Sequence, residues 1–170
     1  MTTLADINAL DEDAFVRLLG SVFEHSPWVA QRAFAGRPFA SLAALHAAMA
    51  DVVRQATRTE HLTLLSAHPE LAGRAARAGR LTASSSAEQS SAGLDALTPA
   101  ERDRVARLNR DYRAKFGFPF IIAVRDHDRR SILAQFERRL QEDRETEIAN
   151  GLDQVCRIAA IRLEGVVNVC

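Results

Sequence analysis

Residues 98–124 read TPAERDRVARLNRDYRAKFGFPFIIAV, and this stretch decides the fold class. Thr98-Pro99-Ala100-Glu101 has the form of a capping box: a threonine and a glutamate three residues on satisfy backbone N–H groups at a helix start. Proline at the first helical position strengthens the signal. A long helix is therefore predicted to Phe116, stopped by Gly117. Phe118 to Val124 is then a continuous apolar run that could be a strand or an extended buried segment. No second run of similar quality exists to pair with it, so an extended core segment is expected.

Helix signals recur on both sides of this stretch. Phe15, Leu18 and Leu19 share one face of a helix over Glu12 to Leu19, ended by Gly20. Ser26-Pro27 offers a serine cap and a first-turn proline for a second helix, stopping near Gly36. Ser41 caps a third through about Ala56, with Leu42, Leu45, Met49 and Val52 at helical spacing. A fourth, from near Thr59 to Ser66, must break at His68, because Pro69 disfavours the helical conformation in the residue before it. Pro69 can itself begin a short helix through Arg77. Residues 79–86 (GRLTASSS) form the clearest loop, with serines placed to cap a short helix around Ala87–Ala92. Two more helices are expected over about Ser131–Glu142 and Glu145–Val167. With no repeat and no dividing linker, residues 1–170 are expected to form an all-α, compact single-domain bundle of about eight helices, several short, with an extended apolar segment near 118–124.

Composition narrows the function. Acidic and basic side chains cancel, 22 against 22, so no global field draws the chain to nucleic acid or to an anionic membrane surface. Arg102, Arg104, Arg107, Arg110 and Arg113 could suggest a nucleic-acid stripe, but Glu101, Asp103 and Asp111 interrupt it, which fits a solvated helix face. Neither a secretory leader nor an apolar run of membrane-spanning length is visible. Two cysteines, Cys156 and Cys170, make no disulfide framework, so a reducing, cytoplasmic setting is expected. The five histidines are dispersed and no helix carries two of them one turn apart, so no metal site is expected.

Three segments carry candidate chemistry. At Ala67-His68-Pro69-Glu70-Leu71 a histidine sits at a forced helix break. It is either an indifferent cap or an imidazole held on a rigid corner, suited to proton transfer near neutral pH. Ser85-Ser86-Ala87-Glu88-Gln89 can be an ordinary serine cap with glutamate at the third helical position, or part of a site. In Lys115 to Ile122, a helix stop followed by a hydrophobic plug is sufficient alone. Free N–H groups in such a segment need partners, however, and a polar ligand lying against it would supply them.

Together these segments resemble the 2-oxo-4-hydroxy-4-carboxy-5-ureidoimidazoline (OHCU) decarboxylases. The matching pieces are His68-Pro69-Glu70-Leu71-Ala72, Ser85 followed by Glu88-Gln89, and YRAKFGFPFII from Tyr112 through Ile122. Ser26-Pro27-Trp28-Val29 and the Arg157 to Arg162-Leu163 stretch also fit, so the likeness spans nearly the whole chain.

The resemblance implies an all-helical, cofactor-free enzyme that decarboxylates OHCU to (S)-allantoin in urate breakdown. It also implies a homodimer, with association with other enzymes of the same route a fair expectation. By that likeness His68 takes the place of the catalytic histidine and Glu88 that of the glutamate working with it. Pro69, Ser85, Ser86, Ala87, Glu88 and Gln89 would line the substrate site, as would Phe120, Ile121, Ile122, Ala123 and Val124, partly through backbone groups. Arg162 falls where the family places an arginine near the substrate. The alternative from another class is a non-enzymatic helical module that binds a ligand or protein, and dependence on His68 and Glu88 separates the two.

Overall fold

The structure, a computed structural model, describes residues 2–168. Cys170, noted above for its sulfur, lies outside the described residues. The chain divides into two units. One is built from the residues up to Ala67 together with those from Val155 onward, the other from His68–Gln154.

In the first unit, α1 (Leu4–Ala9) opens on a capping box between Thr3 and Asp6, and α2 (Glu12–Leu19) is capped by Asp11. Then come α3 (Trp28–Ala33), continued by a 3-10 turn over Phe34–Gly36, α4 (Leu42–Arg54) and α5 (Arg58–Ser66). α3 packs on α4 and α2. Phe15, Leu19, Phe23, Leu45, Met49 and Leu64 are fully buried there, and the Phe15 ring meets Phe34 edge-on at 5.5 Å. Thr2–Thr3 and Val167–Asn168 pair as a minimal parallel ladder.

The second unit holds α6 (Arg74–Arg77), α7 (Ala83–Ser91), α8 (Pro99–Phe116) and α9 (Arg129–Arg139). The boundary between the units falls inside α10 (Arg144–Val166). α8 opens on the Thr98–Glu101 capping box and ends at Gly117, whose φ of 83° is left-handed and suits glycine. Its inward face carries Val105, Leu108, Asn109, Tyr112 and Phe116. Tyr112 lies at the centre of an aromatic cluster with Phe116, Phe118, Phe120 and Phe136, at centroid distances of 4.5 to 6.0 Å.

The architecture is all-helical, as expected, and Phe118 to Ala123 is a buried segment outside any helix or strand, leading into a 3-10 turn at Val124–Asp126. Four local expectations change. Ten α-helices occur among the described residues rather than about eight; α1, only six residues long, was too short to show periodicity. Ser26 does not cap α3: its hydroxyl donates to the Glu24 carbonyl at 3.0 Å and Pro27 takes the cap position. No helix begins at Pro69; residues 70–73 form a turn, with the Gly73 N–H donating to the Glu70 carbonyl at 3.3 Å, and α6 starts only at Arg74. Thr82 caps α7, three residues earlier than Ser85, so the supposed loop serines 84–86 lie within the helix. Ser85 is therefore not a capping-box serine.

Candidate active site

His68 follows the last turn of α5 and is 7% exposed. Because Pro69 bars continuation of the helix, the chain turns a corner there, and other elements of the second unit hold it by hydrogen bonds. Gln89 of α7 accepts the Ala72 N–H through Oε1 at 2.9 Å and reaches the Glu70 carbonyl through Nε2 at 3.4 Å. Asn109 of α8 donates from Nδ2 to the Leu71 carbonyl at 2.9 Å. Arg113, one turn on, donates from Nε to the Glu70 carboxylate at 2.9 Å. That last pair is partly exposed, so it contributes about 0–1 kcal/mol and serves mainly to orient Glu70.

The corner needs this support. Ala72 stands at φ 47°, at the turn position that favours glycine. For a residue with a Cβ that conformation costs about 1–2 kcal/mol. The hydrogen bonds from Gln89 and Asn109, each net about 1 kcal/mol, offset it.

α7 presents the second candidate segment. Ser85 and Gln89, four residues apart, form its buried face, 4% and 7% exposed. Glu88 is half-buried on the flank of that face, whereas Ser86 and Ala87 are exposed. α7 packs against the 3-10 turn at Val124–Asp126. The structure therefore brings three of the expected pieces into one unit: the His68-Pro69 corner, the Ser85–Gln89 helix and the end of the Phe120–Val124 segment.

In that third segment, two backbone groups are already matched by side chains. Arg139 donates from Nη1 to the Ile121 carbonyl at 2.7 Å, and the Ala123 N–H donates to Gln154 Oε1 at 2.9 Å. Part of the hydrogen-bonding demand that sequence reasoning assigned to a ligand is thus met within the fold. The Phe120 ring stacks on Phe136 at 4.0 Å and lies 4.5 Å from the Arg139 guanidinium carbon. Phe120 is thereby anchored in the core rather than free to move.

Beneath it, Arg139 and Glu147, 4% and 0% exposed, form a buried ion pair, with Nε donating to Oε1 at 2.6 Å. The Tyr112 hydroxyl donates to the same carboxylate oxygen at 2.7 Å. Burial first, and then the Glu147 carboxylate, push the Tyr112 hydroxyl above its ordinary range.

A cavity of about 260 Å³ opens beside the corner, with Ala72, Leu81, Ser86, Gln89 and Leu94 among its lining. It takes in two of the expected lining residues. A second, of about 270 Å³, is lined by Ile122 with Arg139, Asn150 and Gln154 among others. No group of three or more His, Cys, Asp or Glu side chains converges as a metal site among the described residues.

A family model described as OHCU decarboxylase matches residues 8–164. The chain belongs to the OHCU decarboxylase family. A Haloferax volcanii protein named 2-oxo-4-hydroxy-4-carboxy-5-ureidoimidazoline decarboxylase is 45% identical over 161 residues, covering 95% of this chain and 94% of its own. The Mus musculus protein of that name is 37% identical over 160 residues, covering 94% and 90%.

Among solved structures, an (S)-allantoin synthase superposes with a TM-score of 0.79 at 30% identity. That match covers 99% of this chain but 54% of the other, so the chain spans about half the length of that protein. An OHCU decarboxylase solved in the presence of (S)-allantoin superposes at 0.68 with 20% identity, over 92% and 97% of the two chains, and shows the shared fold.

Arg162 belongs to the first unit of this OHCU decarboxylase-family chain, whereas His68, Glu88 and the other expected site residues belong to the second. Its side chain is 7% exposed, and Nη1 donates to Glu24 Oε2 at 2.8 Å, with the Ser21 and Val22 carbonyls at 3.4 Å. Sequence reasoning missed Glu24, as it missed Asn109 and Arg113. Asn109 did leave a signal: at helical spacing from Val105, Tyr112 and Phe116 it is a polar residue on an apolar face.

Proposed function

We propose that this chain decarboxylates OHCU to (S)-allantoin, with His68 as general acid/base assisted by Glu88. The substrate carries its carboxylate on a carbon that also bears a hydroxyl and adjoins a C=N bond. When the carbon–carboxylate bond breaks and CO2 departs, that C=N system accepts the electron pair. The nitrogen that receives the pair takes up a proton, the hydroxyl proton is lost to give a carbonyl, and a further proton is delivered to one face of the adjacent carbon. The electron sink is part of the substrate, so the chemistry calls for proton transfers and orientation rather than for a cofactor.

His68 suits the proton transfers because imidazole exchanges protons near neutral pH. The observation that carries this reading is a 7% exposed histidine on a proline-forced corner, tied directly to the helix that bears Glu88. Glu88 would orient the imidazole, and Ser85, Gln89 and the Phe120–Val124 segment would bound the substrate. The family relation supports carrying Arg162 over as a group for a carboxylate or carbonyl of the substrate. The match over residues 8–164 supports reading the chain as a single domain; the homodimer implied by the family likeness and the cytoplasmic setting that fits two cysteines complete the reading.

The test compares the wild-type chain with His68→Ala and Glu88→Gln, each first shown to be folded by far-ultraviolet circular dichroism. His68→Ala is expected to fall to the rate of spontaneous decay, and Glu88→Gln to lose on the order of 10²-fold. A folded His68→Ala variant with full activity would overturn the assignment.

A further inference from the structure

We infer that Asn109 is a positioning residue for His68, acting through the backbone of the turn that follows it. Here the catalytic role proposed for His68 is taken as given. Asn109 is 6% exposed and faces inward from α8 among Val105, Leu108, Tyr112 and Phe116. A leucine at that place would pack without carrying an amide out of water. The asparagine instead donates from Nδ2 to the Leu71 carbonyl at 2.9 Å, 38 residues away along the chain, while its Oδ1 has no hydrogen-bond partner among the described residues. A half-satisfied buried amide is a poor stabilising element. Its one bond goes to the segment whose placement decides where His68 sits.

The geometry says how the coupling runs. Leu71 precedes Ala72, whose φ of 47° leaves the turn able to relax to other conformations unless both flanks are held. Gln89 holds the Ala72 N–H on one flank and Asn109 holds the Leu71 carbonyl on the other. Pro69 restricts rotation between the turn and His68, so a shift of Leu71 passes to the imidazole rather than being absorbed by the chain. Proton transfer is sensitive to such shifts, since a displacement of about 1 Å can cost on the order of 10²-fold.

The experiment uses the full chain and two variants, Asn109→Leu and Asn109→Asp, with steady-state kinetics across pH and thermal unfolding of each. Asn109→Leu should remain folded, because the apolar packing gained by leucine offsets part of the hydrogen bond lost at the Leu71 carbonyl. Its kcat should fall roughly 10- to 100-fold with little change in KM.

Asn109→Asp supplies a readout that a purely structural role would not move. The introduced carboxyl can donate to the Leu71 carbonyl only while protonated. Its kcat should therefore be retained at low pH and lost as that carboxyl ionises, a descending limb absent from the wild type and from Asn109→Leu. Three results would overturn the inference: unchanged kcat in folded Asn109→Leu, absence of the new limb in Asn109→Asp, or failure of either variant to fold. The last would make the amide a stability element. An inactive wild type, or a fully active His68→Ala, would instead sink the functional reading on which this rests.

Discussion

Gln89 Oε1 accepts the backbone N–H of Ala72 at 2.9 Å, across 17 residues of chain, and so binds the helix carrying Glu88 to the corner carrying His68. One amide side chain therefore links the segments that carry the two proposed catalytic residues. Gln89→Leu removes the acceptor and leaves the Ala72 N–H to find another partner in a left-handed conformation. A loss of about 1–3 kcal/mol in denaturant unfolding is expected, together with at least a tenfold drop in kcat. A variant that lost neither would show that the two segments are held by other means.

Gly73 probes the same corner from the backbone. A Cβ there would sit 2.7 Å from Glu70 Cβ and 3.2 Å from the Glu70 carbonyl oxygen, neither of which is the tip of a flexible chain. Gly73→Ala should cost about 1–3 kcal/mol through forced displacement and should lower activity by moving the turn. Equilibrium unfolding and steady-state assay of the same sample check both effects.

Tyr112 gives a pH dependence whose sign follows from its environment. Burial and Glu147 raise its ionisation above the ordinary tyrosine value, so the folded state holds the phenol proton more tightly than the unfolded state. That stability is fully present below the ordinary value of about 10 and falls as the pH rises above it. Because Tyr112 is the only tyrosine, tyrosinate absorbance reports the group directly. Tyrosinate should appear together with unfolding rather than before it, and Tyr112→Phe should flatten the alkaline loss of stability. Tyrosinate formed at the ordinary value in a folded protein would contradict the buried hydrogen bond.

Legibility in the sequence tracked how local the cause was. The Thr98–Glu101 box, the Gly117 stop and the break at His68 each depend on neighbours a few residues apart, and all three were readable. Around α7, Thr82, Ser84, Ser85 and Ser86 can all cap a helix, so local chemistry could not choose among them; the structure chose Thr82. Pro69 was compatible with starting a helix, but the turn held by Gln89 and Asn109 delayed α6 to Arg74. The Arg162–Glu24 pair spans 138 residues, and no spacing rule reaches that far. The expected lining residues were placed by family likeness, while the residues that hold the corner came only from tertiary contacts.

The most direct test of the central claim generates OHCU in situ from urate with the preceding enzymes and follows the optical activity of allantoin as it forms. With the wild-type chain, a rapid rise of the (S) enantiomer well above the spontaneous rate is expected. Racemic product at the spontaneous rate would contradict the decarboxylase assignment and bring forward the alternative of a helical binding module.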